Sequence, residues 1–246
     1  MILHTQTKGF TLAEVLVTLG IIGVVAALTL PSLIQNYQEK ANVTKLKKAY
    51  SILSQAMASA VNENGPADVW DIYSFEKNKD NGDTEMYYRY TPVNIIKQLN
   101  VTKDCGFKSE GCFVSEYSRL NGGTDRDFEN NNNGYYKLIL ADGMSIAFEG
   151  YEPEMCEENN ACGEIWVDIN GHKRPNVIGK DMFLFSYTKD KIVMYGLSTI
   201  MKVPLKQTSC RKNGTGYECA AWVILKENQD YLHCDDLSWS GKFKCN

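Results

Sequence analysis

Between Phe10 and Ile34 the chain runs for 25 residues with one charged side chain, Glu14. As a helix this stretch measures about 37 Å at about 1.5 Å per residue, enough to cross a hydrocarbon core of about 30 Å. Beyond Pro31 the apolar positions thin to a stripe. Leu46, Ala49, Tyr50, Leu53, Met57, Ala60 and Val61 recur at helical spacing, with Asn42, Lys45, Lys47, Lys48 and Gln55 on the other faces. The pattern predicts one helix over about 10–63, apolar all round at first and amphipathic afterwards. Asn64-Gly65-Pro66 stops it.

From residue 135 the period changes to two. YYKLIL and MSIAFEG flank Asp142-Gly143 and read as a hairpin; EIWVDI is a strand closed by Asn170-Gly171; MFLFSYT and IVMYG form a second hairpin around KDK. TPVNIIKQLN (91–100) reads as a short helix after Pro92, and ENNNNG (129–134) as a polar connector. The 217–234 segment fits a short helix or a strand equally well. A mostly antiparallel sheet packed on the second half of a long helix is an α+β fold.

The first apolar stretch admits three readings. A cleaved secretory signal has an apolar core of about 7–15 residues and a small-residue cleavage site, for which Ala26-Ala27 would serve; but Leu28, Leu30, Leu33 and Ile34 continue the run, and Glu14 interrupts its start. A buried core helix needs a partner for Glu14. A retained membrane span must offset a charge that costs a few kcal/mol in lipid, so Glu14 is a functional-site candidate. Lys8, the nearest cation, lies six positions earlier. A cut after Gly9 would give Phe10 an α-amino group, and that amine could meet Glu14 of a second copy. The lysine distribution argues for the opposite orientation: Lys8 stands alone before the span, whereas Lys40, Lys45, Lys47 and Lys48 follow it. The cysteines and the leader outweigh that bias.

Composition narrows the picture. With 246 residues and a net charge of −4, the chain has no basic excess to support non-specific nucleic-acid binding. All eight cysteines lie after residue 104, and none forms the closely spaced knuckle of a zinc site. An even count without knuckles favours disulfides and an oxidising compartment. Connectivity is open among about 105 pairings. The short loops favour Cys105–Cys112, Cys156–Cys162, Cys210–Cys219 and Cys234–Cys245.

The stretch KGFTLAEVLVTLGIIGVVAALTLP resembles the N-terminus of the type IV pilin and type II secretion pseudopilin superfamily: a short leader ending in Gly, then Phe, then Thr-Leu-x-Glu, then an apolar helix with Gly and Pro. The match spans about thirty residues. The resemblance implies a pilin-like fold with 1–9 as leader peptide, 10–34 as transmembrane and filament-core helix, 35–63 as its amphipathic continuation and 64–246 as the head. It implies cleavage between Gly9 and Phe10 by an inner-membrane prepilin peptidase, methylation of the Phe10 amine, and pairing of Glu14 with that amine on a neighbouring subunit. Gly20, Gly23 and Pro31 would serve close packing and local helix melting in a filament. The implied partners are other pilin or pseudopilin subunits, a membrane assembly platform and a cytoplasmic ATPase. The head would be exported from the cytoplasmic membrane into a periplasmic or extracellular filament. Four cysteine pairs exceed the single bridge usual in that family, and the head lacks the motifs of a major pseudopilin.

In the head, DINGHKRPNVIGKD (168–181) stands out. Asp168, Asn170 and Asp181 offer oxygen ligands for calcium, but the spacing does not fit an EF-type loop, and Asx-bonded turns account for it better. His172 and His233 join no nucleophile pattern, and no phosphate loop or H-E-x-x-H occurs. The reading is therefore a non-enzymatic filament subunit of minor or unclassified type. The alternative is a membrane-anchored pilin-like adhesin or DNA-binding minor pilin; a basic, aromatic-lined surface would favour it. Mass spectrometry of the non-reduced protein is expected to find no free thiol; several free thiols would place the head in a reducing compartment.

Overall fold

The structure, a computed structural model, describes residues 9, 11–70, 73–77, 86–108, 110–125, 128, 134–151, 153–159, 161–197 and 209–245. The chain divides after Ala41 into an N-terminal unit and a larger unit, Asn42–Asn246.

Helix α1 spans Leu12–Asn64, with Pro31 inside it. It is followed by β1 (Tyr73–Lys77), β2 (Met86–Tyr90), α2 (Val93–Ile96) and β3 (Val101–Gly106). Next come the short strands β4 (Tyr117–Ser118) and β5 (Thr124–Asp125), then β6 (Tyr136–Leu140), β7 (Ser145–Gly150) and α3 (Pro153–Asn159). The chain continues with β8 (Gly163–Asp168), β9 (Met182–Tyr187), β10 (Ile192–Met194) and α4 (Cys219–Lys226). Six strands form one antiparallel sheet in the order β10-β9-β8-β7-β6-β3.

This is the expected α+β architecture, with a long N-terminal helix packed against an antiparallel sheet. Leu46, Ala49, Leu53, Met57 and Ala60 of α1 are buried together with Leu138, Ile146, Phe148, Ile165, Val167, Phe183 and Phe185 of the sheet. Tyr50 stacks on Phe185 with ring centroids 6.0 Å apart. The alanines on this stripe matter because a helix lies close on a pleated surface only where side chains are short. The opposite face of the sheet carries a second, aromatic core of Phe113, Tyr117, Phe128, Tyr135, Trp166 and Leu184. Phe128 is its hub: Phe113 stacks on it at 5.0 Å and Trp166 meets it edge-on at 5.6 Å. Burial on both faces explains why β9 reads as the unbroken apolar run MFLFSY, buried at every position.

Both anticipated hairpins are present, β6–β7 and β9–β10, with β8 between them. The helix after Pro92 is α2. The 217–234 segment, open between helix and strand, forms α4, which buries Ala220, Ala221, Trp222 and Val223. ENNNNG lies outside the described residues except Gly134. Each disulfide closes a local loop: Cys105–Cys112, Cys156–Cys162, Cys210–Cys219 and Cys234–Cys245.

Leu53 sits at the centre of the helix–sheet contact with no exposed surface. Leu53→Ala should cost about 2–5 kcal/mol through lost burial and the cavity it leaves. A denaturant titration of the full chain in detergent measures this.

Candidate functional site

At the N-terminus, Gly9 is exposed, and Phe10 lies outside the described residues. Thr11 and Glu14 cap the start of α1 reciprocally. The Thr11 hydroxyl oxygen accepts the Glu14 N–H at 3.2 Å, while the Glu14 carboxylate accepts the Thr11 N–H and hydroxyl, each at 2.8 Å. This is a T-x-x-E capping box, which satisfies N–H groups that the first helical turn leaves without partners. The motif is readable in the sequence as Thr11-Leu12-Ala13-Glu14. The capping box gives Glu14 hydrogen-bond partners but no counter-charge.

The helix beyond is uncovered. Leu12 is 79% exposed and Leu28 75%, and no residue from Leu12 to Ile34 is buried. The helix is long and apolar enough to cross a membrane. A Cβ at Gly20 or Gly23 would meet nothing within 4 Å, so neither glycine is required by packing among the described residues. Pro31 deprives one backbone carbonyl of its donor, and helical structure continues through it. Nearby, the Thr29 and Ser32 hydroxyls donate to the carbonyls of Val25 and Thr29, at 2.9 and 3.0 Å.

The 168–181 loop forms a junction instead of a cation cage. Asp168 and Asp181 are completely buried. Asp168 accepts the Tyr117 hydroxyl at 2.7 Å and the Asn170 N–H at 3.0 Å. Asp181 accepts the Val177 N–H at 2.6 Å, the Asn176 N–H at 2.9 Å and the Asn170 side-chain amide at 3.0 Å. Asn170 therefore bridges the two carboxyl groups. All four carboxyl oxygens face protein donors, so the arrangement does not fit a calcium site. Among the described residues, no group of three or more His, Cys, Asp or Glu is gathered to hold a metal ion.

The same loop ties other segments together. The Lys180 carbonyl accepts the side-chain amides of Asn42, on α1, at 3.1 Å and of Gln229 at 2.8 Å. Asn42 also donates to the Gln229 side-chain oxygen at 3.2 Å, and the Tyr231 hydroxyl donates to the Gly179 carbonyl. Gly179 has φ +85°, and a Cβ there would sit 2.9 Å from the Gly216 Cα and 3.2 Å from the Cys219 sulfur. Only glycine fits that approach. Two of the lysines after the apolar stretch form ion pairs, Lys47 with Glu227 and Lys48 with Asp142. His172 and His233 are exposed.

Burial pushes the Asp168 carboxyl up to about 7, opposed by the Tyr117 hydrogen bond and reinforced by Asp181. Burial likewise raises Asp181, against the Val177 and Asn176 N–H groups and Asn170. Tyr117 is pushed up by burial first and by the facing Asp168 second.

An apolar, uncovered helix with a T-x-x-E cap, and an antiparallel-sheet head stapled by disulfides, define a pilin-like protein with a prepilin-type start; residues 5–30 match the prokaryotic N-terminal methylation motif. The chain belongs to the family of unknown function DUF6613, which it matches over residues 32–202. No curated protein and no solved structure matches it.

The folded chain keeps the Asp168 proton up to about pH 7, whereas an unperturbed carboxyl loses it near 3.8. The folded state thus binds more protons across that window, and stability falls as pH rises from about 4 to about 7. Asp168→Asn should remove this fall, which is on the order of a few kcal/mol. Paired unfolding curves at pH 5, 6, 7 and 8 test it; identical slopes for the two proteins would refute the assignment.

Proposed function

We propose that this protein is a structural subunit, of minor or unclassified type, in a filament of the type IV pilus or type II secretion pseudopilus kind. The observation that carries the reading is the coincidence of the methylation motif with an apolar helix whose side chains find no cover among the described residues. Prepilin peptidase cuts between Gly9 and Phe10, and the new Phe10 amine is methylated. The methylated amine remains cationic.

Membrane physics gives the cleavage a purpose. Before the cut, the Glu14 charge has, among the described residues, the local hydrogen bonds of Thr11. After it, each subunit carries a cationic chain end beside its own capped helix. Pairing that end with Glu14 of a neighbour neutralises two charges in a low-dielectric setting, where their attraction is strong. Subunits then associate in one axial register. Gly20 and Gly23 let helices approach closely, and Pro31 marks where the helix yields in the filament. Residues 10–34 form the span and filament core, 35–63 the continuation of the helix and 64–246 the exported head. The assembly platform and cytoplasmic ATPase drive insertion.

The pairing of Lys47 and Lys48 with Glu227 and Asp142 removes part of the basic surface that a nucleic-acid-capturing head would use, which favours the structural reading.

The mature chain should begin with N-methyl-Phe10 by N-terminal mass spectrometry; an intact leader in assembled material would overturn the proposal. Glu14→Ala should leave insertion and cleavage intact and lower filament yield by about tenfold or more, the equivalent of about 1.4 kcal/mol per subunit contact. Sheared-filament immunoblots measure it.

A further inference from the structure

The junction loop joins two features that neither the methylation motif nor the filament reading uses. One is the buried pair Asp168 and Asp181, bridged by Asn170. The other is the Lys180 carbonyl, which holds Asn42 of α1 and Gln229 of the tail together. Only one peptide bond separates that carbonyl from the Asp181 backbone. Asn42 is also the first residue of the compact larger unit.

The pair is built to respond to charge. Tyr117, from β4, and Lys180, on the loop itself, act on it, and His172, Lys173 and Arg174 lie exposed on the same loop. Tyr117 is neutral and deeply buried, so it offers a hydrogen bond without a counter-charge. Lys180 is partly exposed and acts on Asp181. With one carboxyl protonated, the pair carries a single negative charge. With both ionised, two like charges lie buried on either side of Asn170, each disfavouring the other. Relief comes by opening the loop to water. The loop's outer hydrogen bonds, from Ile178 N–H to the Ser118 carbonyl at 2.8 Å and from Gln229 to Lys180, are the ones such an opening breaks.

We propose that residues 169–181 form a pH-sensitive clasp on α1: ionisation of both buried carboxyls loosens the Lys180 carbonyl's hold on Asn42 and releases the first turn of the helix within the head. Raising the pH through neutrality thereby frees the first turn of α1 within the larger unit. The apolar contacts from Leu46 onward stay in place, so the response is local.

Hydrogen exchange of the full chain in detergent tests this, with rates corrected for the intrinsic pH dependence. Between pH 6 and pH 8, protection of the amides in 43–49 and 177–182 should fall together, by about tenfold for each unit of pH over which the pair titrates. Asp168→Asn should abolish the dependence in both segments. Asn42→Ala, which leaves the carboxyl pair intact, should keep it in 177–182 and remove it from 43–49. Protection in 43–49 that is independent of pH in the unaltered protein overturns the clasp, as does a pH dependence that survives Asp168→Asn. The unaltered protein decides the first point even if a variant fails to fold.

Discussion

The structure rests on one helix having to remove apolar surface from water in two different ways. From Asn42 onward, α1 has a single apolar stripe, and the sheet covers it. Leu46, Leu53 and Met57 are fully buried there, each removal from water contributing roughly 1.5–3 kcal/mol. From Leu12 to Ile34 the helix is apolar on nearly every face, and none of these residues is buried. An exposed apolar helix of this length is what a membrane anchor or a signal sequence presents. The division of the molecule into two units therefore follows from the distribution of leucine, isoleucine and valine along one element.

The head was legible wherever burial is one-sided or complete. The strands β6 to β10 announced themselves by alternation or by unbroken apolar runs, and Asp142-Gly143 marked its turn. β3 did not, for a physical reason: it is an edge strand, and Thr102, Lys103 and Asp104 face solvent. Its pairing with β6 is interrupted by register shifts. Polar side chains and bulges protect a sheet edge from unwanted pairing, and they erase the period-two pattern at the same time. α3 carried a readable signal in Pro153 at its first position, but seven residues are too few for a helical period to show. α4 was ambiguous because CAAWVILK is apolar on most faces, and only its surroundings decide between helix and strand.

The candidate site was legible in part. Glu14 stood out as a lone charge in an apolar run. Its bond to Thr11 follows from a four-residue motif, so the capping box was available from sequence alone. The junction was not. Asp168, Asn170 and Asp181 suggested a ligand set by composition, but Asp168 takes the Tyr117 hydroxyl from a distant strand, and the loop's Lys180 carbonyl takes the distant side chains of Asn42 and Gln229. No local pattern reports a contact between residues 42 and 229. The oxygens that looked free for a cation are taken up by backbone and side-chain donors, which is what a buried carboxylate requires when no metal satisfies it.

The cysteine bridges bear on biogenesis. Their sequence separations are 7, 6, 9 and 11 residues, and none overlaps another. A thiol in a flexible chain meets its neighbour in sequence most often, because closing a short loop costs the least entropy. Each correct partner is thus also the kinetically preferred one. On the export proposed above, with the N-terminal end leading, every pair can be oxidised soon after it emerges, before the next has appeared. Such a chain has little need of a disulfide-shuffling catalyst, despite carrying eight thiols.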